Sequence, residues 1–394
     1  MFQLVTRRLA AGAGARAFSG SACSFKATGP LPVFTSTSNP ELDKLLSTIQ
    51  EELFIPSHLL RRHKTLQHRQ RNHHILAEEP LTVDVSGVPV TLTAKSREVP
   101  VPIKLFTRAL GLMQQPGDLD AIPGLVQGYA QANRRIRDEQ AEKLARMCNF
   151  HGRTDILMTL ARTAGKNGFR FSRPAAREFM RGLRMAAMLP GKEASVKAIK
   201  NGQALLNCLG EPLMKVRPDE RLKRDPVVVG TLLSMVASTS VKFNEGKDYE
   251  NRTRQWVHRL QACWEDVEWY LDLTPKGAGD RNPVYRAKAA VLDYLPVLEG
   301  LFAARDMLQG TDQSAWLEAE SAKLNNTVAG WKKFLDENSP GEQFWGVHAY
   351  KRVAERLAKE KELAAEVEGE VSDEVYEEAE EEVEDEAEGK VKEV

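Results

Sequence analysis

The sequence predicts an all-α fold: an antiparallel, solenoid-like array of helical hairpins, with one small N-terminal β-hairpin and disordered ends. Three observations carry that prediction. Beyond Pro102 the apolar residues keep helical spacing and no strand-like alternation recurs. Helix starts repeat a capping residue followed by proline, as in Asn39-Pro40, Asp225-Pro226, Asn282-Pro283 and Ser339-Pro340. Glycine and proline breaks punctuate the pattern often enough to fold successive helices back on one another.

The elements follow in order. Residues 1–28 read as a mitochondrial transit peptide. Met1 to Lys26 holds Arg7, Arg8, Arg16 and Lys26 and no acidic residue, and Phe2, Val5 and Leu9 share one side of a helix. Residues 29–102 combine a Pro/Ser/Thr linker, a basic His/Arg-rich segment and the hairpin. A first helix starts at Asn39-Pro40 and carries Leu42, Leu45, Leu46, Ile49 and Leu53. Leu81, Val83 and Val85 alternate with Thr82 and Asp84, Ser86-Gly87 turns the chain, and Val88, Val90 and Leu92 return it. Pro89 confines the second strand to an edge. Residues 103–361 form the helical repeat-like body. There Trp256, Leu260, Cys263, Trp264, Val267, Tyr270 and Leu271 read as one helical stripe. Tyr285, Leu292, Leu295, Leu298, Leu301 and Phe302 form a second, and Trp316, Leu324, Val328, Trp331, Phe334 and Leu335 a third. Glu342 completes a capping box at Ser339-Pro340. Residues 362–394 form an acidic tail, expected to be disordered because its like charges repel.

The charges are segregated. The whole chain of 394 residues has 55 basic and 55 acidic residues, a formal net charge of zero. Glu362 to Val394 holds 16 acidic and 2 basic residues, a net of −14, so the other 361 residues carry +14. A basic body suits a polyanionic partner, whereas the neutral total would argue against one. The tail reads as a solubility device, or as a phosphate mimic that shields the basic face or docks a basic partner until RNA displaces it.

Several function classes are excluded by pattern. No run approaches the ~20 apolar residues of a membrane span. The four cysteines (Cys23, Cys148, Cys208 and Cys263) are widely scattered, with no Cys-x-x-Cys, so neither a disulfide scaffold nor a zinc knuckle is supported. The phosphate-binding loop, the His-Glu-x-x-His motif and the Gly-x-Ser-x-Gly motif are all missing. The sequence therefore predicts no catalytic residue, no metal and no cofactor.

Two cationic patches remain. His58, His63, His68, His73 and His74 lie within 17 residues but lack the i, i+4 spacing of a two-histidine metal site. Arg61, Arg62, Lys64, Arg69 and Arg71 share that stretch, which has no Asp or Glu, so phosphate contact fits better than metal. In the second patch Arg173, Arg177, Arg181 and Arg184 recur at steps of 4, 4 and 3, lining one face of a helix, with Phe179, Met180, Leu183 and Ala187 opposite. Arg162, Lys166 and Arg170 extend the charge, with Phe169 and Phe171 interleaved. Arginine forks match phosphate oxygens and stack on bases, so all twelve residues are expected RNA contacts.

Residues Asp138 to Leu189 also carry a family resemblance. One helix ends near Phe150, a second spans Thr154 to Ala164, Gly168-Phe169 closes the pair and a third begins at Ser172. This resembles a pentatricopeptide repeat over about one and a half units, which implies a stacked helical-hairpin scaffold. Gly191 follows Gly152 by 39 residues, so the period is not held and the family's one-nucleotide-per-repeat reading does not transfer. The expectation is a non-enzymatic mitochondrial matrix protein that binds RNA or the mitochondrial ribosome in organellar gene expression. The alternative is a protein scaffold or assembly factor for a respiratory complex, with other matrix proteins as partners.

Overall fold

The computed structural model describes residues 29–78, 81–85, 87–95, 101–210, 221–267, 269–274 and 282–338. The expected transit segment (residues 1–28), the expected helix start at Ser339-Pro340 and the acidic tail lie outside the described residues. Asn39 opens helix α1 (Pro40–Ile49) by accepting the Glu41 N–H at 2.9 Å, and Pro40 sits where no intrahelical donor is needed. Its apolar stripe, Leu42, Leu45, Leu46 and Ile49, is buried. One π-helical turn, Gln50–Phe54, leads into α2 (Ile55–His58), followed by α3 (Arg61–His68) and α4 (His73–Glu78).

The hairpin forms as the alternation requires. Strands β1 (Thr82–Val85) and β2 (Val88–Thr91) pair antiparallel, with Thr82 opposite Thr91 and Asp84 opposite Pro89. Gly87 takes φ +86° and donates its N–H to the Asp84 carboxylate at 2.7 Å. In a two-stranded sheet each strand is an edge, so Pro89 forfeits no ladder bond.

Next come α5 (Pro102–Leu112), α6 (Ile122–Gln131), α7 (Asp138–Phe150), α8 (Thr154–Arg162), α9 (Ala164–Asn167), α10 (Arg173–Ala187) and α11 (Lys192–Leu209). The expected breaks at residues 152 and 168 are left-handed glycines, at φ +70° and +69°. Gly168 is doubly constrained, because a Cβ there would also lie 2.7 Å from that of Ala130.

Asp118 ties this half together. Its buried carboxylate accepts the Ser38 N–H and hydroxyl, each at 2.9 Å, and the N–H groups of Gln114 (3.1 Å) and Gln115 (2.9 Å). Burial opposes its charge, but the donors on Gln115, Ser38 and Gln114 outweigh burial and hold its pKa below 3.8. A carboxylate with a depressed folded pKa adds stability at pH values above its unfolded pKa and loses it as pH falls through the folded value. Asp118→Asn is therefore expected to lower stability by a constant amount from pH 7 to about 5, with the gap to wild type closing below about pH 4. Urea melts across pH check this; a gap that does not change with pH refutes it.

Helix α12 (Pro226–Phe243) is the centre of the C-terminal half. Asp225 caps it, accepting the N–H groups of Val227 (3.0 Å) and Val228 (3.2 Å). By length and composition it could cross a membrane, but its apolar residues from Val227 to Ala237 are buried under α10, α11, α13 (Arg252–Gln261) and α14 (Asn282–Met307), and only its last turn brings Val241 to the surface. Such an all-round apolar helix suits a protein core. Gly230 and Gly300 let α12 and α14 approach closely, and α15 (Ser314–Asn338) then covers α14.

The stripe expected from Trp256 to Leu271 is not one helix. Helix α13 stops at Gln261, and Trp264 starts a single 3-10 turn. The tryptophans reach the core differently: the Trp264 ring meets Trp269 at 5.7 Å and Trp316 at 5.4 Å, both edge-on, while its N–H donates to Glu320 at 2.8 Å. Tyr270 and Tyr285, placed in core stripes by spacing, are exposed instead.

Candidate nucleic-acid interface

The first patch is built on α3 and the turn that follows it. Arg61, Arg62, Arg69 and Arg71 are exposed, and Lys64 is half-buried, its Nζ 3.5 Å from the Ser57 carbonyl. Three of the five histidines among them, His58, His63 and His73, take separate structural partners. His58 Nε2 lies 3.3 Å from the Gln131 amide oxygen, and burial lowers its pKa below 6.5. His63 is buried and receives the Arg62 Nε–H at 3.2 Å, and His73 Nε2 is 3.0 Å from the Gln67 carbonyl. Among the described residues no group of three His, Cys, Asp or Glu side chains is placed to hold a metal.

Arg162, Lys166 and Arg170 are exposed around the turn that joins α8, α9 and α10. Phe169 and Phe171, interleaved with them in sequence, offer no stacking surface. Both are 2% exposed and meet edge-on at 4.9 Å, and Phe171 stacks on Phe179 at 6.0 Å. Alternation in the non-helical residues 168–172 sends Arg170 outward and the rings into the core.

Tertiary structure anchors both cationic segments at one place. His58 contacts Gln131, and Gly168 abuts Ala130, so the two segments flank the C-terminal end of α6. Arg134 and Arg135 emerge, exposed, from that same helix end. They add to the surface without belonging to either patch picked out by spacing.

The arginine stripe of α10 does not form the solvent-facing, RNA-tracking face that its spacing predicts. It faces inward. Arg177 and Arg181 side chains are 10% and 15% exposed, and Arg184 is 12% exposed. Arg177 grips Asp225 through Nε (3.2 Å) and Nη2 (2.9 Å), and reaches Asp293 through Nη1 at 2.9 Å. Arg181 shares Asp293 at 2.6 Å and also pairs with Glu178. Arg184 pairs with Glu299 and bonds the Ser234 hydroxyl at 3.3 Å, while Arg173, at the rim, lies 3.3 Å from Asp225. Burial works against the charge of Arg177, but Asp225 and Asp293 override it and raise its pKa. Arg181 is raised in the same way, against burial, by Glu178 and Asp293. For Arg184 burial prevails over Glu299, and its pKa is lowered.

The reason is position. The opposite face of α10, with Phe179, Met180 and Leu183, is also buried, because α7, α11 and α12 surround the helix. The neutralising carboxylates are remote in sequence, with Asp225 48 and Asp293 116 residues beyond Arg177. Spacing within one helix cannot show whether a charged stripe meets water or its complement.

Fold and surface thus define a helical scaffold, locked inside by paired charges and cationic where it flanks α6. The family model of mitochondrial ribosomal protein mS27 matches residues 16–352 of this chain. A small ribosomal subunit protein mS27 from Neurospora crassa is 22% identical over 273 residues, covering 63% of this chain and 69% of that relative. The chain belongs to the mitochondrial ribosomal protein mS27 family, which places it in the mitochondrial ribosome, in organellar translation and in the matrix.

Proposed function

We propose that this chain is a non-catalytic subunit of the small subunit of the mitochondrial ribosome, holding RNA against the cationic surface around the end of α6. The observation that carries this reading is the family match, which spans the described body. The named relative is a small-subunit protein. Arg61, Arg62, Arg69, Arg71, Arg162, Lys166 and Arg170 provide exposed phosphate donors, with Lys64 beside them and Arg173 at the edge. Arg177, Arg181 and Arg184 support that surface from within. The pentatricopeptide-like hairpins of residues 138–189 act as a rigid frame, and residues 1–28 as the import address.

Simultaneous reversal of Arg61, Arg62, Arg162 and Arg170 to Glu is expected to weaken RNA binding at least tenfold and to flatten its salt dependence, since fewer phosphate contacts release fewer counterions. Filter binding over a salt series reads both quantities, and co-sedimentation with organellar small subunits reads assembly. Unchanged affinity and slope would remove this surface from the contact. A nuclease-insensitive complex with respiratory subunits would favour the scaffold alternative.

A further inference from the structure

We propose that the acidic segment 362–394 of this chain seats in the groove between α11 and α13, above α12. The groove has a volume of about 1570 Å³. Its wall and floor are aliphatic or aromatic at Ile199, Leu206, Val236 and Phe243, and Lys192, Lys200, Lys223 and Arg259 stand on its rim. The three lysines are exposed and have no carboxylate partner among the described residues. Two glutamates also line the groove, but each already has a cation, Glu245 pairing with Lys247 at 3.0 Å and Glu250 with Arg252 at 2.6 Å. A cationic rim over an apolar floor calls for an acidic ligand with apolar side chains.

Nucleic acid fits this groove less well. Of the Trp, Phe and Tyr rings that line it, Trp256 is buried with Arg259 already 4.4 Å above its ring, Phe243 is half-buried, and Tyr249 alone is exposed, so a base-stacking track is missing among the described residues. The acidic segment has the complementary pattern. Every fourth residue from Leu363 to Val391 is apolar: Leu363, Val367, Val371, Val375, Ala379, Val383, Ala387 and Val391. On a helix the first four fall within an arc of about 120°. Of the 15 charges between Leu363 and Val391, 14 are Asp or Glu and one is Lys390. Reach is ample. The described chain ends at Asn338, and the 23 residues from 339 to 361 can extend ~75 Å, twice the ~37 Å length of α15.

Carbodiimide crosslinking of the full chain, read by mass spectrometry, tests the proposal. Adducts joining Lys192, Lys200 or Lys223 to carboxylates of 362–394 are expected, falling at least fivefold at high salt. They should fall similarly when Leu363, Val367, Val371 and Val375 are changed to Ser, which keeps every charge and leaves the folded body untouched. Mixing isotopically light and heavy chains separates a segment seated on its own chain from one seated on a second copy. Adducts only between copies, adducts spread evenly over other surface lysines, or insensitivity to the Ser changes would each overturn the proposal. So would ultraviolet crosslinks of RNA to the groove lysines in place of the tail.

Discussion

Arg177→Ala is expected to lower the stability of the folded chain by about 3–5 kcal/mol, a larger effect than that of any surface charge. The substitution leaves Asp225, whose side chain is 1% exposed, and the largely buried Asp293 with fewer cationic partners inside the protein. Asp225 also caps α12, so its disturbance reaches the central helix. Arg177→Lys keeps one positive charge but loses the fork that spans two carboxylates, and an intermediate loss is expected. Urea unfolding of the three proteins checks the order. A loss below about 1 kcal/mol for Arg177→Ala, the range of a surface ion pair, would mean that water or neighbouring arginines compensate fully. Because Arg177 faces inward, the folded fraction of the variant should bind RNA as wild type does, which separates it from the exposed cations flanking α6.

The second large effect is at the seam of α12 and α14. Gly300→Val places a Cβ 2.8 Å from the Ser234 backbone nitrogen and 2.9 Å from its Cα, and backbone cannot rotate away. The helices must separate, and since Gly230 packs on Val297 in the same seam, the loss spreads along it. A cost at or above the usual ~1–3 kcal/mol of core overpacking follows. Gly330→Ala is the control: on the exposed side of α15 a Cβ meets nothing within 4 Å, so the change is expected to stabilise by roughly 0.5–1 kcal/mol. Opposite signs for two helical glycines, read in the same denaturation series, test the close approach; wild-type stability in the Gly300→Val protein would disprove it.

Most of the fold was legible because its determinants are local. The caps at Asn39 and Asp225, the hairpin turn at Gly87 and the breaks at Gly152 and Gly168 each act within a few residues. The stripe from Trp256 to Leu271 misled because apolar spacing runs on past the helix end: Trp264 and Val267 stay buried beyond α13, whereas Tyr270 turns to solvent.

The candidate site was legible only in part. By itself the sequence determined helical class, the hairpin, the separation of a basic body from an acidic segment, and which residues carry charge. All of these depend on side-chain chemistry and near-neighbour geometry. Tertiary structure decided which cations meet water. It turned Arg177, Arg181 and Arg184 onto Asp225, Asp293 and Glu299, and left Arg61, Arg62, Arg162 and Arg170 outside, around the end of α6. The physical reason is that desolvating a guanidinium is tolerable only where another segment supplies a carboxylate, and that segment is positioned by the packing of the whole array.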